Sequence, residues 1–278
     1  MAPTPSNVKR QTAFLLLLLA GCGADPAPGA LAGRAEVVEV EERTVALAGR
    51  TLVLDGFAGE VRVETGSDSV GTRIRFERRG RGATEASARA RLAAIALEEG
   101  QDDELVQYVW RAAGTEDGLR VDAVATVPPG ARVVVRTGAG GIAVDGPLAE
   151  LDAETRAGGI VVGRASARRL RLLSAAGDVA LIATTIPAGA AWDVETRAGS
   201  VDFSSPPGAS VRVEADTKAG RADVRGLDGA AVVRSGAQRL VATLGAGAAR
   251  VRLHTQAGDV TLGPATDIDG TETGQVAD

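Results

Sequence analysis

The residues best placed to do chemistry in this chain are acids that recur at one position of a repeated segment. Asp152, Asp193 and Glu214 hold that position, and Glu154, Glu195 and Asp216 follow two residues later. Paired carboxyls on one flank of a sheet can serve as general acid and general base on a glycosidic bond. Arg171 interrupts the row, and rows of mixed charge are ordinary on a solvated sheet. The chain has one histidine, His254, in an outward-facing position that suits a surface residue. No Gly-x-Ser-x-Gly, His-Glu-x-x-His or phosphate-loop pattern occurs. Asp178 and Asp259 follow corner glycines, where a calcium site is conceivable, but a calcium-binding repeat would place an acid in every copy. They are expected to be turn residues. Arg156, Arg197 and Lys218 form a small basic set near the same corners that could touch an acidic glycan, with a solvated edge the simpler expectation. These residues give no catalytic set, cofactor or metal.

What positions them is a repeat. A hydroxyl-x-Ala-Gly-x-apolar-x-apolar unit recurs with its hydroxyl at Thr137, Thr155, Ser174, Thr196, Thr217, Ser235 and Thr255, spaced 18, 19, 22, 21, 18 and 20 residues. The Ser235 copy is degenerate, with Gln238 in place of the corner glycine. A fixed period of this length marks a solenoid. Apolar residues alternate within each unit, the period of a strand with one buried face. Residues four and two before the hydroxyl (Val133 and Val135 through Ala231, Val233, Val251 and Leu253) are therefore expected inside, as are residues five and seven after it (Ile142 and Val144 through Val260 and Leu262). The hydroxyl shares that interior parity. Residues three and one before it, including the acids above, face outward. Aromatics are only 3% of the chain, which suits a thin core of small side chains. Trp192 and Phe203 need a local widening, and their unit follows the longest spacing, 22 residues. The expected fold is an all-β, single-chain β-solenoid of parallel coils of about 20 residues, with two short strands per coil.

The N-terminus speaks to location. Lys9 and Arg10 precede the apolar run from Ala13 to Leu19, which is too short to span a bilayer and has the flanks of an export signal. Leu19-Ala20-Gly21-Cys22 resembles the lipobox of bacterial lipoproteins, in which the cysteine becomes the first mature residue and carries the lipid. On that reading residues 1–21 are a lipoprotein signal peptide, Cys22 is the palmitate-bearing lipidation site, and residues 22–34 are a flexible tether. Gly rather than Asp follows Cys22, which resembles outer-membrane cargo by the sorting rule of some Gram-negative lipoproteins. The membrane is then a partner through lipid, not charge. The net charge is −5, and removing residues 1–21 takes away two cations and no acid. An acidic chain without a basic stripe argues against nucleic acid as a partner.

Residues 35–130 read as an irregular strand and helix region that caps the solenoid, 131–263 as its regular repeats and 264–278 as a polar tail. Strands are expected from Val38 to Leu47, Thr51 to Leu54, Glu60 to Glu64, Arg73 to Phe76, Leu105 to Trp110 and Leu119 to Val127. Ala58-Gly59-Glu60-Val61-Arg62-Val63 looks like one more corner unit. One helix is expected from Thr84, its N-cap, to Glu99, with Leu92 and Ile95 on one face and Gly100 ending it.

Irregular strands, one helix, then Val127-Pro128-Pro129-Gly130-x-x-Val133-x-Val135-x-Thr137 leading into repeated Ala-Gly corners resemble the bacterial envelope domains called putative adhesins, or toastrack domains, over about residues 36–263. The resemblance implies a β-solenoid and a non-enzymatic envelope role and transfers no ligand; on the leading reading the flat sheet faces contact an envelope protein or polysaccharide. Two alternatives stand beside it: a carbohydrate-active β-helix enzyme, and a sensor or regulatory partner in an envelope-stress system.

Overall fold

The structure is a computed structural model, described for residues 11–14, 35–66, 71–227 and 229–265. Cys22, its tether and the tail beyond Ala265 lie outside the described residues. The N-terminal elements are β1 (Gln11–Phe14), β2 (Ala35–Val45), β3 (Thr51–Ala58), β4 (Val61–Thr65), β5 (Thr72–Gly82), α1 (Glu85–Leu92), β6 (Ile95–Gln101), β7 (Leu105–Ala112) and β8 (Leu119–Val127). The repeats give β9 (Arg132–Ala139), β10 (Ile142–Pro147), β11 (Glu150–Ala157), β12 (Ile160–Ser166), β13 (Arg169–Ala176), β14 (Val179–Ala183), β15 (Ala191–Ala198) and β16 (Val201–Ser205). They continue as β17 (Val211–Ala219), β18 (Ala222–Val224), β19 (Ala231–Arg234), β20 (Arg239–Leu244), β21 (Ala249–Ala257) and β22 (Val260–Pro264).

The coil that contains Thr196 shows why these residues fold this way. β15 buries Trp192, Val194 and Thr196; Gly199 turns the chain; β16 then buries Val201, Phe203 and Ser205. Each coil thus gives one strand to each of two facing sheets, with the apolar columns between them. Trp192 meets Phe203 edge-on at 6.4 Å, and its indole N–H donates to the Ala167 carbonyl at 2.8 Å. The extra length of this unit lies in the loop before Ala191.

The corner carries the bond that holds one coil to the next. In the true coils the hydroxyl donates to the carbonyl of the corner glycine in the neighbouring coil: Thr155 to Gly140 at 3.0 Å, Ser174 to Gly158 at 3.0 Å and Thr196 to Gly177 at 2.9 Å. Thr255 to Gly199 at 2.8 Å and Thr217 to Gly258 at 2.9 Å continue the row. Such reach requires the corners to be nearly in backbone contact. Gly199 has φ +147°, and a Cβ there would lie 2.3 Å from the Gly177 carbonyl oxygen, so both conformation and space demand glycine.

Spatial order departs from chain order at the C-terminal end. One sheet runs β1-β2-β5-β8-β4-β10-β12-β14-β16-β22-β18, and the other β19-β20-β17-β21-β15-β13-β11-β9-β3-β7-β6. The coil β21/β22 therefore sits between β15/β16 and β17/β18. The corner unit at Ala58–Val63 is a true coil, since β3 pairs in parallel with β9 and β4 with β10. The Ser235 unit is not. Its strands β19 and β20 form an antiparallel hairpin beyond β17, and Ala231, Val233 and Ser235 are exposed rather than inside. Without the Ala-Gly corner the chain cannot make the close approach that a coil needs.

At the other end β5 pairs antiparallel with β8 and β2, and β6 antiparallel with β7. The helix is shorter than expected. Thr84 is its N-cap, in a capping box with Ser87, but it ends at Leu92; Ile95 and Gly100 lie on β6. Pairing with β7 outweighs the local helical preference of residues 95–99.

Thr196→Val should cost about 1–2 kcal/mol in urea unfolding by leaving the Gly177 carbonyl without its donor, with Thr196→Ser close to wild type. Gly199→Ala should cost more, because neither backbone in the contact can retreat.

Candidate interaction face

The outer face of the sheet containing β15 carries the acids that the sequence singles out. One outward row, read across adjacent strands, is Asp152, Arg171, Asp193, Arg252 and Glu214. The next is Arg136, Glu154, Leu173, Glu195, His254, Asp216 and Arg239. Insertion of β21 places Arg252 between Asp193 and Glu214, and His254 between Glu195 and Asp216. In chain order the acids of β15 and β17 would be direct neighbours at about 4.8 Å of strand spacing, a repulsive arrangement. Arg171 already divides the first row in the sequence, and the inserted coil divides both rows again.

Four of the six acids have a basic side chain beside them. Glu214 accepts from Arg250 Nη2 at 3.1 Å and from Arg212 Nε at 3.2 Å, and these bonds hold its carboxyl below the usual glutamate value. Asp216 Oδ2 lies 2.6 Å from His254 Nδ1. Asp152 pairs with Arg171 at 3.5 Å and Glu154 with Arg136 at 4.0 Å. Glu214, held ionised by its two arginines, is poorly suited to act as a general acid. Glu154 and Glu195 do face one shallow depression of about 400 Å3, floored by Leu173, Ser174 and Ala175 and flanked by Arg156 and Arg197. A second depression of about 450 Å3 lies between Arg132, Asp152, Arg171 and Asp193.

The corner residues are structural. Asp178 Oδ1 accepts the Ser200 backbone N–H at 2.7 Å, and Asp259 Oδ1 accepts that of Arg221 at 2.8 Å, so each caps the adjoining coil. Arg156, Arg197 and Lys218 stand at alternate rungs, about 9.6 Å apart, with Ala175 and Gln256 between them. The structure brings Arg156 and Arg197 to one depression but does not gather all three.

A polar cluster at the N-terminal end was not evident from sequence. Arg43, only 5% exposed, donates to Glu99 at 2.5 Å and to Glu41 at 2.8 Å. Burial alone would lower its pKa; the bonds to Glu99 and Glu41 outweigh that and raise it. Arg78 bonds Glu39 at 2.7 Å. Beside this cluster Tyr108, pushed up to about 12 by burial and then by Glu99, borders a cavity of about 450 Å3 with Gln107 and Arg50. In sequence Arg43 is one more charge in an alternating strand; only the facing of β2 and β6 at the stack's end makes it central.

No family model matches the sequence, and no curated protein does. Among solved structures, a putative cell adhesion protein from Clostridium sporogenes ATCC 15579 aligns with TM-score 0.44 at 12% identity, over 84% of this chain and 100% of that one. A putative adhesin from Bacteroides fragilis NCTC 9343 aligns with TM-score 0.32 at 9% identity, over 82% and 96%. Another from Parabacteroides merdae ATCC 43184 gives 0.31 at 11%, over 81% and 95%. Their names agree with the resemblance read from the corner repeats.

Arg252→Glu should speed amide exchange across residues 249–264, because it sets an acid between Asp193 and Glu214; Arg252→Lys should not. Glu214 has a folded pKa below its ordinary value of 4.5, so its contribution to stability is present above that value and is lost as pH falls through the folded pKa. Glu214→Gln should accordingly flatten the acid limb of a melting-temperature profile.

Proposed function

We propose that this is a lipid-anchored bacterial cell-envelope protein whose β-solenoid serves as a non-enzymatic scaffold and interaction surface. The observation that carries the proposal is the alternation of charge in rows on a rigid outer face, each row repeating at the rung spacing. Buried polar groups at the corners are spent on joining coils, and the charged groups are turned outward in fixed register. Every aromatic whose burial is described, including Trp110, Trp192 and Tyr108, is inside. Among the described residues the face therefore offers no Phe, Tyr or Trp ring for stacking on a sugar, which favours an envelope protein, or a charged polysaccharide, over a neutral glycan.

The anchor is the acylated Cys22, and Gly23 supports an outer-membrane destination. Among the described residues no helix is long and apolar enough to cross a membrane.

The anchor is tested by feeding cells labelled palmitate. Label and membrane fractionation should both disappear in Cys22→Ala, and label retained in that variant contradicts the proposal. Pull-downs from envelope fractions and charged-glycan arrays test the surface, which should lose its partner in Arg171→Glu. The enzyme alternative rests on the Glu154–Glu195 depression; turnover of an envelope polysaccharide that Glu195→Gln or Asp193→Asn abolishes would replace the scaffold reading.

A further inference from the structure

We infer that the exposed edge strand β19 is a self-association site, pairing antiparallel with β19 of a second copy so that one sheet runs continuously through both. β19 spans Ala231–Arg234 and pairs only with β20; among the described residues nothing pairs with its other edge. All four of its residues are exposed, Val233 at 69% and Val232 at 38%. The strand continues an apolar run, Ala230-Ala231-Val232-Val233, without the alternation seen in the coils. Both faces of the strand are thus apolar and exposed beside an open row of backbone groups, which is the pattern of an association-prone edge. Val232 and Val233 carry no charge, and β19 has no Pro or bulge; its four-residue length and the terminal Arg234 are all that guards the edge.

Symmetry and charge select a second copy as the occupant. A twofold axis perpendicular to the sheet keeps each face on its own side, so only residues of the same parity can stand opposite each other. In the register centred on Val232, Val232 meets Val232 of the partner and Ala231 meets Val233 in both directions. Arg234 then falls opposite Ala230 at each end, so the two arginines stay apart. Arg234 is already neutralised within its own chain, donating to Asp223 Oδ1 and to the Ala222 carbonyl, both at 2.9 Å. No loose charge is buried by the pairing. The far edge strand, β6, carries Glu98 and Glu99 and offers nothing apolar to these valines at its centre.

So short a pairing buries less than the ~1,000 Å2 of a stable interface, so free copies associate weakly. Confinement on a membrane raises effective concentration and strengthens such a contact without new bonds. That gain rests on the lipid anchor proposed above; the pairing itself does not.

The test uses the exported full chain with Cys22→Ser, which carries no lipid, and so reads pairing apart from anchoring. Val232→Cys in that background should form a disulfide-linked dimer under mild oxidation. Val161→Cys, at an exposed valine on the other sheet, should stay monomeric. Adding Val233→Lys should cut the Val232→Cys dimer several-fold, with circular dichroism unchanged. A Val232→Cys chain that stays monomeric, or a Val161→Cys chain that dimerises equally fast, overturns the inference.

Discussion

Close contact between glycine backbones at successive corners is the constraint on which the rest of this molecule depends. A Cβ at Gly177 would lie 2.2 Å from the Gly158 carbonyl oxygen, and one at Gly258 2.1 Å from that of Gly199. That nearness lets a short Thr or Ser side chain reach across to the next coil. The hydroxyl and the glycine are thus two halves of one joint. The joint also fixes register: a slip of one residue would remove the hydroxyl from its carbonyl and turn every apolar column outward. Repeating the joint aligns the columns, and aligned columns make both a dry core and ordered outer rows.

The same joint is indifferent to which coil follows which, because every coil offers the same donor and acceptor. Thr217 bonds Gly258 as readily as Thr255 bonds Gly199. The choice between orders falls to the outer face. Placing β21 between β15 and β17 removes two juxtapositions of acids and supplies Arg252 and His254 in their place. Each exposed pair contributes only a few tenths of a kcal/mol, but several act together on a choice between nearly equivalent stacks. Charge that looks decorative in a linear reading thereby specifies topology.

Sequence revealed what is local and periodic. The inward columns at Ile160, Val179 and Val201 lie on adjacent strands of one sheet as the alternation requires. The corner glycines and the interior hydroxyls were legible too, but not the partner of each hydroxyl, which lies across a coil boundary. Strand order was illegible for a physical reason: one coil's interior pattern is interchangeable with another's. The helix was overestimated because residues 95–99 are good helix formers whose strand state depends on β7, out of sight of any local window. At the outer face sequence placed each acid in the correct column, but chain order gave the acids of β15 and β17 each other as neighbours instead of Arg252 and His254. It gave no sign of the Arg43–Glu99 cluster, which exists only because two distant strands meet at the end of the stack. The chemistry of the face follows from neighbours, which a reading of columns alone does not supply.

The proposed scaffold would work by holding charges still, and the rigidity and the pattern of the face have the same origin in the stacked corners. The most direct test is therefore of stacking order, by paired cysteines on the outer face of the β16-β22-β18 strands in a Cys22→Ser chain. Asp202 is in register with Thr261 and two rungs from Asp223. Asp202→Cys with Thr261→Cys should close an intrachain disulfide readily, and Asp202→Cys with Asp223→Cys should not. The opposite result, a fast bond between positions 202 and 223, would show that the coils stack in chain order and would contradict the account.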